Sequence, residues 1–289
     1  MRETIYYQRG MPDPIYDENI IMDIVHKYVP SAQKLSKIDE EGGEARVYVI
    51  DNDIILKMQR PQQLRSSTGL EKELLFLNQL EKQTDVRVPH VLGYGKEGTI
   101  EYICMTKIQG IKAEKIKLSK DEKTALLFTL GKELRKIHSI NQSAIINSGL
   151  FPCDAPPDLT ERIQRRYLSK VMELKNNADP EKVTTTLEFI KNELKNIIDT
   201  DIFYALHVNP YICHILVNEK THAYNGLIDF GDAYIGHPIF DMWYWKVESR
   251  EKLIQGYTSE RPVSPAFQII FDTLNAISKR VSSPLYWEN

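Results

Sequence analysis

Between Tyr204 and Asp241 the sequence sets chemically capable side chains at the ends of short apolar runs. Tyr204-Ala205-Leu206 leads into His207-Val208-Asn209, and His214 opens the run Ile215-Leu216-Val217. After a polar turn, Gly226-Leu227-Ile228 ends on Asp229-Phe230-Gly231-Asp232. Asp-Phe-Gly behind an apolar strand is an arrangement in which a carboxylate carries a metal ion beside phosphates; an aspartate in a surface turn is the plainer alternative. A second polar group is equally out of place. Lys57 lies in Ile54-Ile55-Leu56-Lys57-Met58 and shares a strand face with Ile55, where an apolar side chain is expected. A lysine there calls for an anionic partner or ligand, unless it only snorkels from a strand end.

Strands and one helix must bring these groups together. Arg46-Val47-Tyr48-Val49-Ile50, the turn Asp51-Asn52-Asp53 and the Lys57 run predict a hairpin. Before it, Gly42 and Gly43 could let the backbone lie close to phosphates or make an ordinary tight turn. Arg60 and Arg65 fall in a polar loop. Thr68-Gly69-Leu70-Glu71 reads as a capping box for a helix through Leu74, Leu77 and Leu80. Glu71 then serves the cap, while Glu73 borders the apolar stripe as a partner for Lys57 or as a surface residue. Val88 to Gly95 and Ile100 to Thr106 predict two more strands, completing a small antiparallel sheet that exits through Lys107-Ile108-Gln109-Gly110.

The flanking chain reads more simply. A polar arm to about Pro14 precedes a short helix carrying Ile21, Ile24, Val25 and Tyr28, which Pro30 ends. After the sheet the period is helical: Thr124 to His138, then two helices between Asp158 and Ile198 broken near Asp179-Pro180, then Phe240 to Gly256 with Trp243 and Trp245 in the core. From Asp158 to Asp199 there are eight acidic and eight basic residues, which gives no support to a polycationic substrate.

At 289 residues and 42% hydrophobic the chain can bury a large core. With 37 basic against 40 acidic residues, a formal charge of −3, it lacks the positive field that nucleic acid or anionic lipid requires. Cys104, Cys153 and Cys213 read as buried free thiols in a reducing compartment. No apolar run has signal-peptide or membrane-spanning length, so a cytoplasmic protein without nucleic-acid or membrane partners is expected.

Taken in order, these segments resemble the aminoglycoside phosphotransferases and related small-molecule kinases. The resemblance covers the Gly42-Gly43 hairpin, Lys57, the Glu73 helix, Val88-Pro89-His90-Val91-Leu92, Leu130-Gly131 through His138, and above all Ile228-Asp229-Phe230-Gly231-Asp232-Ala233-Tyr234-Ile235-Gly236-His237-Pro238 with Asp241. It implies an α+β, protein-kinase-like two-lobed fold: a small antiparallel β-rich lobe over residues 1–107 and a larger, mostly helical lobe over 108–289. It implies ATP or GTP as cofactor with Mg2+ or Mn2+, and a small hydroxylated molecule as partner. Lys57 would hold the α/β-phosphates, oriented by Glu73; Gly42, Gly43 and Met105 would line the nucleotide; Asp229 would carry the metal. The family's loop reads His-Gly-Asp, four residues, Asn. Here it reads His207-Val208-Asn209 and then His214. Asn209 can orient a hydroxyl but cannot take its proton at neutral pH, His214 can serve as a second metal ligand or pack as a plain histidine, and His207 bridges the loop to the following segment. A pseudokinase, binding nucleotide or metabolite without turnover, is the alternative.

Overall fold

The computed structural model describes residues 13–41, 43–60, 69–98, 100–153, 158–174, 179–197, 203–243 and 245–282. In chain order its elements are α1 (Glu18–His26), β1 (Leu35–Asp39), β2 (Ala45–Ile50), β3 (Ile54–Gln59), α2 (Gly69–Gln83), β4 (Val91–Glu97), β5 (Ile100–Thr106), β6 (Ile111–Lys112), α3 (Lys120–Ile137) and α4 (Ser143–Ser148). There follow α5 (Asp158–Leu174), α6 (Pro180–Leu194), β7 (Tyr204–Leu206), β8 (Ile215–Val217), β9 (Tyr224–Leu227), β10 (Tyr234–Gly236), α7 (Val247–Tyr257) and α8 (Pro265–Ser282). The class is the expected one, an antiparallel sheet lobe and a helical lobe of the protein-kinase-like type.

Two compact units interleave along the chain. The first comprises Met1–Leu126, Ser139–Phe151 and His207–Tyr234; the second comprises Leu127–His138, Pro152–Leu206 and Ile235–Asn289.

The first unit is organised by an antiparallel sheet of order β1-β2-β3-β5-β4. Alternation along each strand divides its side chains between two faces. Tyr48, Ile50, Leu56, Met58, Tyr102 and Cys104 form one core with Ile21, Met22, Ile24 and Val25 of α1. The opposite parity puts Lys57 across from Val47 and Ile103, and Ile55 across from Met105. A second, three-stranded sheet of order β6-β8-β9 carries the approaches to residues 207–214 and to Asp229. The chain enters it through Gly110, whose φ of 121° suits glycine and whose Cβ, if present, would strike the Val217 carbonyl.

The second unit packs helices. α3 and α7 touch backbone to backbone: a Cβ on Gly131 would collide with Leu253 O, and one on Gly256 with Phe128 O. Elsewhere α5, α6 and α8 pack together, and Tyr167 Oη donates to Leu274 O at 3.2 Å.

Several expectations need correcting. Among the described residues no single helix runs from Phe240 to Gly256. A 3-10 turn at Pro238–Asp241, started by a proline, gives way to α7 only at Val247. Trp243 and Trp245 are buried before it, Trp243 against Tyr167 and Phe240 with ring centroids 5.4 and 5.5 Å away. β4 starts at Val91, leaving Pro89, which has no N–H to give, outside the ladder. Cys104 is buried, but Cys153 is exposed and Cys213 only half-buried. Among the described residues no helix is long and apolar enough to cross a membrane.

Candidate functional site

Every group in the site belongs to the first unit. Lys57 Nζ, projecting from β3, lies 2.9 Å from both carboxylate oxygens of Glu73 on α2 and 3.1 Å from Asp229 Oδ1. Glu73 is almost fully buried and also accepts the Phe230 N–H at 3.3 Å. Burial opposes a charge on Lys57, yet Asp229 and Glu73 together raise its pKa above the ordinary lysine value. The Lys57 ammonium, chiefly, holds Asp229 well below the usual carboxylate range. Burial raises Glu73, and the nearby Asp229 charge adds to that.

α2 clasps the Asp-Phe-Gly segment at further points. Phe230 is wholly buried, edge-on to Phe76 at 5.2 Å and to the His207 ring at 4.5 Å. Lys72, itself buried, donates to Ala233 O at 3.3 Å. Gly69 and Gly231 meet closely enough that a Cβ on Gly231 would stand 3.4 Å from Gly69 O.

Residues 207–214 reach the cluster from the other side. His207 Nε2 is 2.9 Å from Ile228 O; since a carbonyl only accepts, this nitrogen carries the proton, and Nδ1 accepts the Asn209 N–H at 3.3 Å. With both nitrogens engaged and its side chain buried, His207 braces the loop and is not set up to take a proton. The Asn209 carbonyl accepts both Tyr211 N–H and His214 Nδ1–H at 2.8 Å. His214 Nε2 stands 3.2 Å from Asp229 Oδ2. Burial disfavours a charged His214, but the oxygens of Asp229 and Asn209 at its two nitrogens raise its pKa overall.

The sequence-predicted residues Lys57, Glu73, Asp229, His214, Asn209 and His207 therefore converge. Met105 is buried on the face of β5 that Lys57 shares. Gly43 is exposed with nothing within 4 Å of an added Cβ, so local packing does not demand glycine there; Gly42 lies outside the described residues. Arg60 does not stand ready for a ligand: it pairs with Glu40 (2.6 Å) and Asp13, as Arg46 does at 2.7 and 3.0 Å. Arg65 and Thr68 lie outside the described residues, and Glu71 reaches Lys96 at 3.2 Å. Spacing gave no sign of Lys72, which reads as one more charge on a polar helix. It gave none either of Glu41, which Lys112 and Lys115 grip at 2.8 and 2.9 Å and push down to about 2.

A divalent cation fits this donor set only in company. Among the described residues no group of three or more His, Cys, Asp or Glu could hold a metal. Magnesium, however, is commonly bound by one or two carboxylates together with substrate phosphates and water. Asp229 meets that lesser requirement, and phosphate oxygens and water would have to complete the shell.

A model of the phosphotransferase enzyme family (APH) matches residues 36–258. No curated protein matches at a significant level. Among solved structures, the GDP complex of wild-type aminoglycoside 2'-phosphotransferase-IIIa is 15% identical with a TM-score of 0.64, over 92% of this chain and 90% of that one. The streptomycin-ATP-APH(2")-IIa ternary complex is 18% identical, TM-score 0.59, over 94% and 93%. The macrolide 2'-phosphotransferase MphH from Brachybacterium faecium is 16% identical, TM-score 0.59, over 92% and 99%. At such identities the likeness is one of fold.

Proposed function

We propose, since the chain belongs to the phosphotransferase enzyme family, that it transfers the terminal phosphoryl group of ATP or GTP to a hydroxyl of a small molecule. The observation that carries the reading is the Lys57 ammonium, held at once by Glu73 and Asp229. That is a cation preset for phosphate oxygens beside a carboxylate with a strongly favoured charge. Asp229 would hold Mg2+ or Mn2+ with the phosphates, and His214, once neutral at Nε2, offers a second donor. The metal would neutralise charge on the phosphate oxygens. Lys57 binds the α/β-phosphates, Glu73 fixes its direction, and Met105 and the chain around Gly43 border the nucleotide.

In the transfer, the acceptor oxygen bonds to phosphorus as the bond to the bridging oxygen breaks and the nucleoside diphosphate leaves. Asn209 accepts a hydrogen bond from the hydroxyl and orients it. The amide cannot take the proton, which passes to water or to an oxygen of the transferred group. Phosphoryl transfer tolerates this because its transition state is loose and depends chiefly on positioning and electrostatics. The even charge of residues 158–199 favours no polycationic acceptor.

The pseudokinase reading draws on the same two substitutions: Asn209 removes the base, and His214 engages the metal-binding carboxylate at 3.2 Å. Calorimetric titration with ATP and GTP, with and without Mg2+ or Mn2+, beside Asp229→Ala tests the nucleotide site on which both depend. Metal-dependent binding that the variant loses would establish the nucleotide site that both readings need. No binding under any metal rejects phosphotransfer and leaves a kinase-shaped scaffold with another ligand.

A further inference from the structure

Val208 has a φ of 78°, in the left-handed region. The other described non-glycine residues with positive φ are Asp51, Asn52, His222 and Asp229, all of types that tolerate it. A β-branched valine does not, and its presence there is a true outlier. The resembling family has glycine at the matching position.

The surroundings hold the chain on both sides of this residue. His207 is tied to Ile228 O at 2.9 Å, and its Nδ1 turns back to accept the N–H of Asn209, two residues on. That contact turns the chain at residue 208 but does not by itself set the hand of the turn, since His237 Nδ1 accepts the Ile239 N–H at 3.2 Å across Pro238, whose ring forbids a positive φ. On the far side, the Asn209 carbonyl is gripped by Tyr211 N–H and His214 Nδ1–H. Ile228 also donates its N–H to His214 O at 3.1 Å, so both ends of the loop are pinned to one residue. The residue after Ile228, Asp229, is left-handed as well, with φ 74°. From the His207–Ile228 tie, two left-handed residues thus send the chain toward Asn209 and toward Phe230.

We propose that Val208 is a strained positioning residue: held left-handed against its own preference, it sets where Asn209 stands, and the bonds on either side keep it there. That Asn209 meets an acceptor hydroxyl rests on the function proposed above; the strain does not. A residue of this kind leaves the loop poised to relax when its ties weaken, so engagement of Asn209 by a ligand and the backbone state of residue 208 are linked.

The test compares Val208→Gly with Val208→Ala, which lose nearly the same side chain and differ in tolerance of positive φ. The folding equilibrium constant from urea denaturation should favour Val208→Gly by about fivefold or more; at an ordinary φ the order reverses by about two- to fivefold. Amide exchange at Asn209, Tyr211 and His214 should be faster in Val208→Ala than in Val208→Gly. Val208→Asn, which accepts a left-handed backbone, should restore slow exchange. In turnover, kcat of Val208→Ala should fall several-fold below that of Val208→Gly, with KM for nucleotide equal in the two. An alanine variant at least as stable as the glycine variant overturns the strain. Equal exchange and equal kcat in all variants overturn the positioning role. Should no substrate be turned over, the proposed function falls, while the stability order and local exchange still decide the role of Val208.

Discussion

Lys57, Glu73 and Asp229 meet through charge, delivered by a strand, a helix and a strand end. Residues 207–214 meet through main-chain and ring bonds in a segment without regular structure. In the first region the side chains are the architecture. In the second, Asn209 contributes its N–H and its carbonyl, so its side chain can change from carboxylate to amide without disturbing those bonds. The difference teaches where a family can alter its chemistry cheaply: at a position whose geometry the backbone already supplies.

The largest expected effect tests that lesson directly. Asn209→Asp restores a proton acceptor on an unaltered backbone, and turnover should rise about 10²- to 10⁴-fold with nucleotide affinity unchanged. An unchanged rate would count against phosphotransfer as the function. Phe230 joins the two regions through Phe76 and His207, and Phe230→Ala should cost about 4 kcal/mol, read as a shift in urea midpoint, and loosen both. Lys57→Ala should act on the first region alone. It leaves Glu73 buried without its cation, a loss of about 3 kcal/mol, and removes nucleotide binding in calorimetry while amide exchange at Asn209 and His214 stays slow. If exchange there quickened as well, the regions would be one unit and the comparison would fail.

The smallest effect lies in pH. His214 has a raised pKa when folded, so its contribution is fully present below its unfolded value near 6.5 and is lost as pH rises through the folded value. Asp229 has a lowered one, so its contribution stands above about 3.8 and is lost only as pH falls through its folded value. Denaturation at a series of pH values should therefore show a decline on the alkaline side of 6.5 that His214→Asn removes, below about 1 kcal/mol in size.

Much of the first region was legible in the sequence. Strand parity alone put Lys57 on a face where it needed an anion, and the helical stripe put Glu73 at its edge. The Asp-Phe-Gly position followed from the apolar run before it. The loop was legible in its letters and not in its shape, since nothing in His207-Val208-Asn209 predicts a left-handed valine; that follows from bonds to Ile228 and His214, which are tertiary. β1, with Ser36 and Lys37 exposed, lacks an apolar signal and becomes a strand by pairing with β2. α8 goes unanticipated for a different reason. Phe267, Ile270, Phe271, Leu274, Ile277 and Val281 recur at helical spacing and are buried, so the pattern is present in the sequence itself. The helix expected across Trp243 failed because a proline-started 3-10 turn and two buried tryptophans hold that stretch irregular.

The interleaving of the two units bears on how the chain is made. Lys57 and Asp229 are 172 residues apart, and ribosomes add about 5–20 residues per second, so the lysine waits roughly 10–30 s for its partner to be synthesised. The first unit cannot close until Tyr234 has emerged, by which time about half of the second unit is already outside the exit tunnel. During that interval the face of the sheet bearing Lys57, and Glu73 on α2, lack their Asp-Phe-Gly cover. Nascent chains of this protein are thus exposed to chaperones for longer than a lobe that folds from contiguous sequence.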